Sequence, residues 1–535
     1  MSTSELKLFD TTLRDGAQME GLTLTVDDKL RIAAKIDELG VQYIEGGWPG
    51  SNPKDEEFFA RAPGELRLKH AKLVTFSSTR RAGITAGKDP NLRITVGANT
   101  PAVCVVGKSW DLHVKEALRT TLDENLKMVG DTMKYLSRHF DEVFFDAEHF
   151  FDGFKRNPEY AMRVLESAAA GGADVLVLCD TNGGCLPDEI GEIVGQVRTT
   201  LDHPLGIHCH NDTDCAVANS MAGVDAGAVQ VQGVVNGYGE RCGNANLLSI
   251  AANLVLKRDV PVITKEQVGV LSEVAHYVAE IANLTPNPQA PYVGTSAFAH
   301  KAGLHASAVI RRRDLYEHID PDLVGNVRHL LVSELAGKAT ITVKAAELGI
   351  DLDDKSNVGG IIRQVKELEH LGYHFEAADG SFELLLRRAL GWEQEFFQIE
   401  SFRVIVETDP HGVIQSEATV KLHANDERIV STAEGNGPVS ALDAALRKAL
   451  QESFPELDRI HLADYKVRIL NESSGTSATT RVLIESADGH KEWGTIGVSE
   501  NIIEASWQAL LDGYVYGLLH PSPSEGAAPE RSAGK

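Results

Sequence analysis

No stretch of this chain approaches the roughly 18 consecutive apolar residues that a membrane-spanning helix requires. Its opening, MSTSELKLFD, lacks the basic and apolar regions of a secretory leader. The expectation is a cytoplasmic protein without a membrane partner. Cysteine is scarce: there are six in 535 residues and no C-x-x-C pair, which argues against a disulfide scaffold and against a thiolate zinc site. Positive charge is also in deficit. Lys+Arg 52 against Asp+Glu 77 gives a formal charge of −25; a phosphate backbone needs a basic face, so nucleic acid is a poor partner. A small anionic substrate stays compatible with this field where a few Arg and Lys side chains converge. The rest of the composition, 43% hydrophobic and 24% charged, is that of a folded protein, and the length predicts two or three domains.

The first 260 residues repeat one rhythm: a short apolar run, a polar or glycine-rich corner, then an amphipathic helix. The runs are Leu6–Asp10, Val41–Gly46, Lys72–Phe76, Val103–Gly107, Glu142–Phe145, Asp174–Cys179, Pro204–His208 and Ala228–Val234. Several are continuous Val/Ile/Leu stretches, as in parallel strands covered on both faces. The first helix carries a capping box at Thr25 and Asp28, a face of Ile32, Ile36 and Leu39, and a stop at Gly40. Eight β–α units in about 250 residues predict a closed (β/α)8 TIM barrel rather than an open sheet. A mostly helical accessory region follows, opened by a second capping box at Thr264 and Gln267. From about Phe396 the texture alternates like strands, interrupted by helices expected near Asn436 and Thr495. Aligning Val439-Ser440 with Val498-Ser499 gives a repeat of about 60 residues, two strand–strand–helix units that form a C-terminal α+β domain by duplication. The expected division is a barrel at 1–262, helical accessory segments at 263–395, the α+β domain at 396–520 and a disordered tail at 521–535.

The chemistry collects where the runs end. His208-Cys209-His210 closes the seventh run, and side chains two apart on a strand project to one side, so both imidazoles can reach one metal. The first run leads into Asp10-Thr11-Thr12-Leu13-Arg14-Asp15-Gly16, the fifth into Asp146-Ala147-Glu148-His149, the sixth into Asp180-Thr181-Asn182-Gly183, and the eighth into the segment Asn236–Asn244. Caps and turns can explain any one of these, but five of eight strands ending this way at the catalytic face of a barrel is a site. Imidazole and carboxylate donors admit Zn, Mn, Fe or Co, and Mg less readily. Three features are discounted: Arg311-Arg312-Arg313 reads first as a solvated helix face, Cys242 has no neighbour that would make it a nucleophile, and Asn211-Asp212-Thr213 matches a glycosylation sequon by chance.

DTTLRDGAQ, CDTNG, HCHND and GYGERCGN together resemble the acyl-CoA-condensing DRE-TIM metalloenzymes, the isopropylmalate, homocitrate and citramalate synthases. The resemblance continues through SAFAHKAGLHASA and YEHIDPDLVGN and covers nearly the whole chain; GGWPGSNPKD, at Gly46–Asp55, is most similar to the long-form citramalate synthases. It implies that Asp15, His208 and His210 ligate a divalent metal (Mn, Mg, Zn or Co), with Asn244 in or beside that set. It implies that Arg14 stabilises the oxyanion developing on a 2-oxo acid, that Thr181 holds the substrate carboxylate, and that Glu148 serves enolisation of acetyl-CoA. His305 and Tyr316 are implied in proton transfer or activation of the hydrolytic water, with the assignment between them open. The implied reaction is pyruvate + acetyl-CoA + water to (R)-citramalate + CoA. 2-Isopropylmalate and homocitrate synthesis are the alternatives, and a catalytically silent amino-acid sensor the alternative of another class. The resemblance further implies a homodimer, and feedback by isoleucine at the C-terminal domain, for which Gly437, Ser440, Gly497 and Ser499 are the candidate contacts at two glycine-rich helix entries. Trp48, bulky and just after the second run, is expected to narrow the pocket toward the methyl group of pyruvate.

Overall fold

The computed structural model describes residues 6–301, 303–330, 338–350, 352, 357–392, 394–408, 410–470 and 478–522. The tail expected at 521–535 falls almost entirely outside the described residues. Among those described, no helix is long and apolar enough to cross a membrane, and all six cysteines are free.

Each of the eight predicted runs holds a strand: β1 Lys7–Asp10, β2 Tyr43–Gly47, β3 Lys72–Ser78, β4 Ala102–Lys108, β5 Glu142–Glu148, β6 Val175–Asp180, β7 Leu205–Cys209 and β8 Gln230–Gly233. They are parallel and close in sequence order, β8 pairing back onto β1. The helix Val26–Asp37 has the predicted reciprocal capping box at Thr25 and Asp28, and Gly40 follows it at φ +75°.

Burial on both faces hides the strand alternation from the sequence, but the structure displays it. In β5, Phe144 packs with Phe9, Tyr43, Val74 and Phe76 inside the barrel, while Phe145 and Ala147 join the larger core with the helices. The three rings Phe9, Tyr43 and Phe144 meet at centroid distances of 4.9–5.6 Å and fill the lower interior. Below them the Tyr43 hydroxyl accepts from Lys7 Nζ at 2.9 Å and donates to Glu142 Oε1 at 3.1 Å. Above them the same inward positions turn polar, and the site begins.

The chain divides into two compact units, 1–298 with 319–328, and 299–318 with 329–535. The second contains a short parallel pair, β9 Ala299–His300 and β10 His329–Leu330, and the helices Val358–His370 and Asp379–Ala389, packed through Ile361, Val365, Phe382 and Leu386. Two antiparallel sheets follow, each three-stranded and each covered by one helix. The first is β11 Gln398–Thr408, β12 Ile414–Ala424 and β13 Glu427–Gly435 with helix Pro438–Leu450. The second is β14 His461–Ile469, β15 Thr480–Ala487 and β16 Glu492–Ser499 with helix Ile502–Leu519.

This corrects the predicted repeat. The units are strand–strand–strand–helix, and Pro438 corresponds to Ile502, an offset of 64 residues. Gly497 and Ser499 therefore do not enter a helix: they pair with Val482 and Thr480 inside the second sheet. Thr495, Ile496 and Val498 are β-branched, and a paired central neighbour outweighs the helical spacing that continues downstream of them. Gly437 is the residue before helix Pro438–Leu450 and Ser440 lies in its first turn, as expected.

Candidate active site

Extended backbone carried one residue past β7 places His208 and His210 together at the upper end of the barrel, and the turn after β1 brings Asp15 to them. Asp15 Oδ2 lies 3.3 Å from His208 Nε2 and 3.8 Å from His210 Nε2, and all three residues are buried. One donor atom from each lies within 4.8 Å of the others. Asn244 joins them through an isolated backbone bridge to His210. Its Nδ2 donates to the Tyr238 carbonyl at 3.2 Å, and among the described residues neither its buried Oδ1 nor His210 Nδ1 has a hydrogen-bond partner. Gly239 is at φ +143°, and a Cβ there would meet Asn244 Nδ2 at 2.2 Å, so the loop reaches this arrangement only with glycine. The donor set fits a divalent cation of borderline character.

The electrostatics agree. Burial works to raise the Asp15 carboxyl, but Arg14 and His208 overcome it and hold Asp15 well below the ordinary range, ionised. Burial and the neighbouring His208 push His210 down to about 3, so its imidazole is neutral, as a ligand must be. Burial disfavours the charged form of His208, but its hydrogen bond and charge pairing with Asp15 push it upward in the metal-free protein. Behind it, His208 Nδ1 is 2.7 Å from Gln232 Oε1, and Gln232 Nε2 donates to Asp146 Oδ1 at 2.9 Å.

Arg14 is fixed on three sides. Its Nε donates to Glu45 Oε2 at 2.6 Å, an outer nitrogen lies 3.2 Å from Asp15 Oδ2, and the guanidinium stacks 4.0 Å from the centroid of Phe76. Burial raises Glu45 to about 7 against the pull of Arg14. Glu148 ends β5 and is ion-paired with Lys108, its register partner at the end of β4. Thr181 Oγ1 accepts from the His149 backbone N–H at 2.9 Å. Arg14, Asp15, Glu148, Thr181, His208 and His210 all line one cavity of about 240 Å³, together with Trp48, Phe76 and Arg241.

His305 and Tyr316 belong to the second unit, where their rings stack at 4.3 Å and 29° and both are exposed. Sequence reasoning placed Asp146 at the end of the fifth run without giving it a role, and missed Lys108, Glu45 and Gln232. Each sits on the inward period of a strand already identified, which was the available signal.

The HMGL-like family matches residues 5–278, the homocitrate synthase post-HMGL domain-like family 292–372, and the LeuA allosteric (dimerisation) domain 376–518. The (R)-citramalate synthase of Streptomyces coelicolor is 56% identical over 97% of this chain and 98% of its own length. The chain belongs to the (R)-citramalate synthase family. A second member, from Aquifex aeolicus, is 54% identical over 96% of this chain and 97% of its own. The 2-isopropylmalate synthase of Methanocaldococcus jannaschii is 30% identical over 95% and 93%. Within this family the protein is an acyltransferase-type condensing enzyme.

Proposed function

We propose that the enzyme condenses acetyl-CoA with pyruvate and hydrolyses the thioester, releasing (R)-citramalate and CoA. The observation that carries this reading is the convergence of Arg14 with Asp15, His208 and His210 in one small cavity walled by Trp48. A divalent ion held by Asp15, His208, His210 and Asn244 would supply Lewis acidity toward a substrate oxygen.

The side chains do the rest. Arg14, held rigidly by Glu45 and Phe76, offers a fixed positive charge where the keto oxygen gains negative charge, so little reorganisation accompanies the reaction. The Thr181 hydroxyl donates to the substrate carboxylate. Glu148 takes a proton from the acetyl methyl group, and Lys108 holds its carboxylate in place. His305 and Tyr316 are assigned to proton transfer or activation of the hydrolytic water, on the strength of the GLHASA and DLYEHIDP segments. The LeuA allosteric (dimerisation) match supports a homodimer and an amino-acid effector, for which isoleucine is the candidate.

Release of CoA thiol from acetyl-CoA, with Mn or Mg added, tests the reading across pyruvate, 2-oxobutyrate, 2-oxoisovalerate and 2-oxoglutarate. Pyruvate is expected to be the best substrate. A preference for 2-oxoisovalerate would move the protein to isopropylmalate synthesis, and silence with all four would leave a sensor.

A further inference from the structure

Trp48 lines two cavities, not one. Beside the site of about 240 Å³ lies a second of about 600 Å³, and the two share Arg14, Gln18 and Trp48 as a common wall. Leu13, Leu22 and Leu24 give the second cavity apolar sides that suit an aliphatic chain, in a lining that also holds Lys29, Asn52, Lys54 and Asp55. The Trp48 indole is part of this common wall, and the indole is held in place. Its Nε1 donates to Asn91 Oδ1 at 2.8 Å, and its ring meets Phe76 edge-on at 5.5 Å, the same Phe76 on which Arg14 stacks. Asn91 is in turn oriented: its Nδ2 donates to Ser77 Oγ at 3.0 Å, and its backbone N–H donates to Asp89 Oδ1 at 2.9 Å. Ser77 Oγ also accepts from Thr95 Oγ1 at 2.8 Å.

The segment Gly46–Asp55 is built around this hydrogen bond. The Trp48 backbone N–H donates to Asp55 Oδ2 at 2.8 Å, which fixes the base of the side chain. A Cβ at Gly50 would fall 2.0 Å from Asn91 Oδ1 and 3.5 Å from Trp48 Nε1, so the two side chains meet only because residue 50 has none.

We infer that Asn91 is a specificity-determining positioning residue: it latches the Trp48 indole as a partition between the catalytic cavity and its apolar neighbour, and so limits the 2-oxo acid to one with a small side chain. This rests on the condensing reaction proposed above. A free tryptophan side chain would swing between rotamers and open the apolar space to longer or branched 2-oxo acids; the latch keeps that space closed.

The test compares kcat/KM for pyruvate, 2-oxobutyrate and 2-oxoisovalerate in the full-length protein and in Trp48→Ala, Asn91→Leu, Gly50→Ala and Asn91→Asp. A single methylene changes discrimination in an apolar pocket by about 10–200-fold. The ratio for 2-oxoisovalerate over pyruvate is therefore expected to rise on the order of tenfold or more in Asn91→Leu and Gly50→Ala, and at least as far in Trp48→Ala. Asn91→Asp keeps the acceptor for the indole and is expected to stay near the parent ratio. Gly50→Ala breaks the latch from the other side, so it carries the test if Asn91→Leu does not fold. Parent-like ratios in both latch variants, with pyruvate turnover retained, overturn the latch alone. A parent enzyme that turns over none of the 2-oxo acids overturns the reaction and the latch together.

Discussion

His208 and Gln232 form a fixed pair, Nδ1 against Oε1 at 2.7 Å. Because the amide nitrogen of Gln232 is committed to Asp146, its oxygen must face the imidazole, and the imidazole must carry its proton on Nδ1. In the metal-free protein Nε2 shares a second proton with Asp15, and a metal that displaced this proton would find the Nε2 lone pair beside the Asp15 carboxylate. Partners of this kind typically govern metal affinity by 10–100-fold. Gln232→Leu should weaken binding of Mn by about that factor, measured by competition with a chelating dye, while the protein folds as before. Undiminished affinity in a folded variant would show that His208 needs no such orientation.

A second prediction separates the acid–base residue from its support. Glu148→Gln should lower kcat by about 10²–10⁴-fold with metal binding unchanged. Lys108→Met should also lower kcat, by less, because it releases the carboxylate from its place on β5 without removing it. Steady-state kinetics with pyruvate decides the order. A Lys108 variant more damaging than the Glu148 variant would mean that Lys108 meets substrate directly.

The barrel was legible because several strands announce themselves by composition and the β–α rhythm carries the weaker third and fourth, and the ligands because they crowd the ends of those strands. His208-Cys209-His210 gives its geometry from sequence spacing alone. Glu45 and Gln232 were not legible as site residues, since a strand buried on both faces shows no alternation, and its inward polar residues look like interruptions. The third strands of the C-terminal sheets were hidden for different reasons. The turn before β13 is Asn425-Asp426, both with positive φ (49° and 64°), a two-residue hairpin signal that lacks the usual glycine. β16 runs almost directly into helix Ile502–Leu519, so its Gly497 and Ser499 read as the start of that helix.

Asp10 yields a prediction about pH. It is fully buried at the end of β1, accepts from the Thr12 backbone N–H at 3.0 Å and hydroxyl at 2.7 Å, and burial raises it to about 7. An unfolded aspartate titrates near 3.9. Between these values the folded state binds more protons than the unfolded state, so this group's contribution falls as pH rises, by up to about 1.4 kcal/mol per pH unit from about pH 4 to about pH 7. Asp10→Asn, which cannot ionise, should gain stability over the parent as pH rises through that window. Denaturant unfolding of the metal-free protein at pH 5 and pH 7.5 measures the difference. A gap between variant and parent that is equal at both pH values would refute the assignment.

Gly497 decides between two roles for the second sheet. The sequence points to it as a contact for an effector carboxylate at a helix entry, yet it lies in β16 opposite Val482, pressed against the helix that follows. A Cβ on Gly497 would fall 2.0 Å from the Ala505 carbonyl oxygen and 2.9 Å from Gln508 Cβ. Backbone that close cannot yield as a flexible side chain would, so Gly497→Ala must push β16 and helix Ile502–Leu519 apart. Overpacking of this kind costs about 1–3 kcal/mol, and the variant should unfold at lower denaturant whether or not isoleucine is present. Ser440, in the first turn of helix Pro438–Leu450 and exposed, has no such constraint. Ser440→Ala should leave stability unchanged and, if that helix entry holds the effector, reduce the response of thiol release to isoleucine. Full stability in Gly497→Ala together with loss of the isoleucine response would return Gly497 to the effector site and remove the packing account.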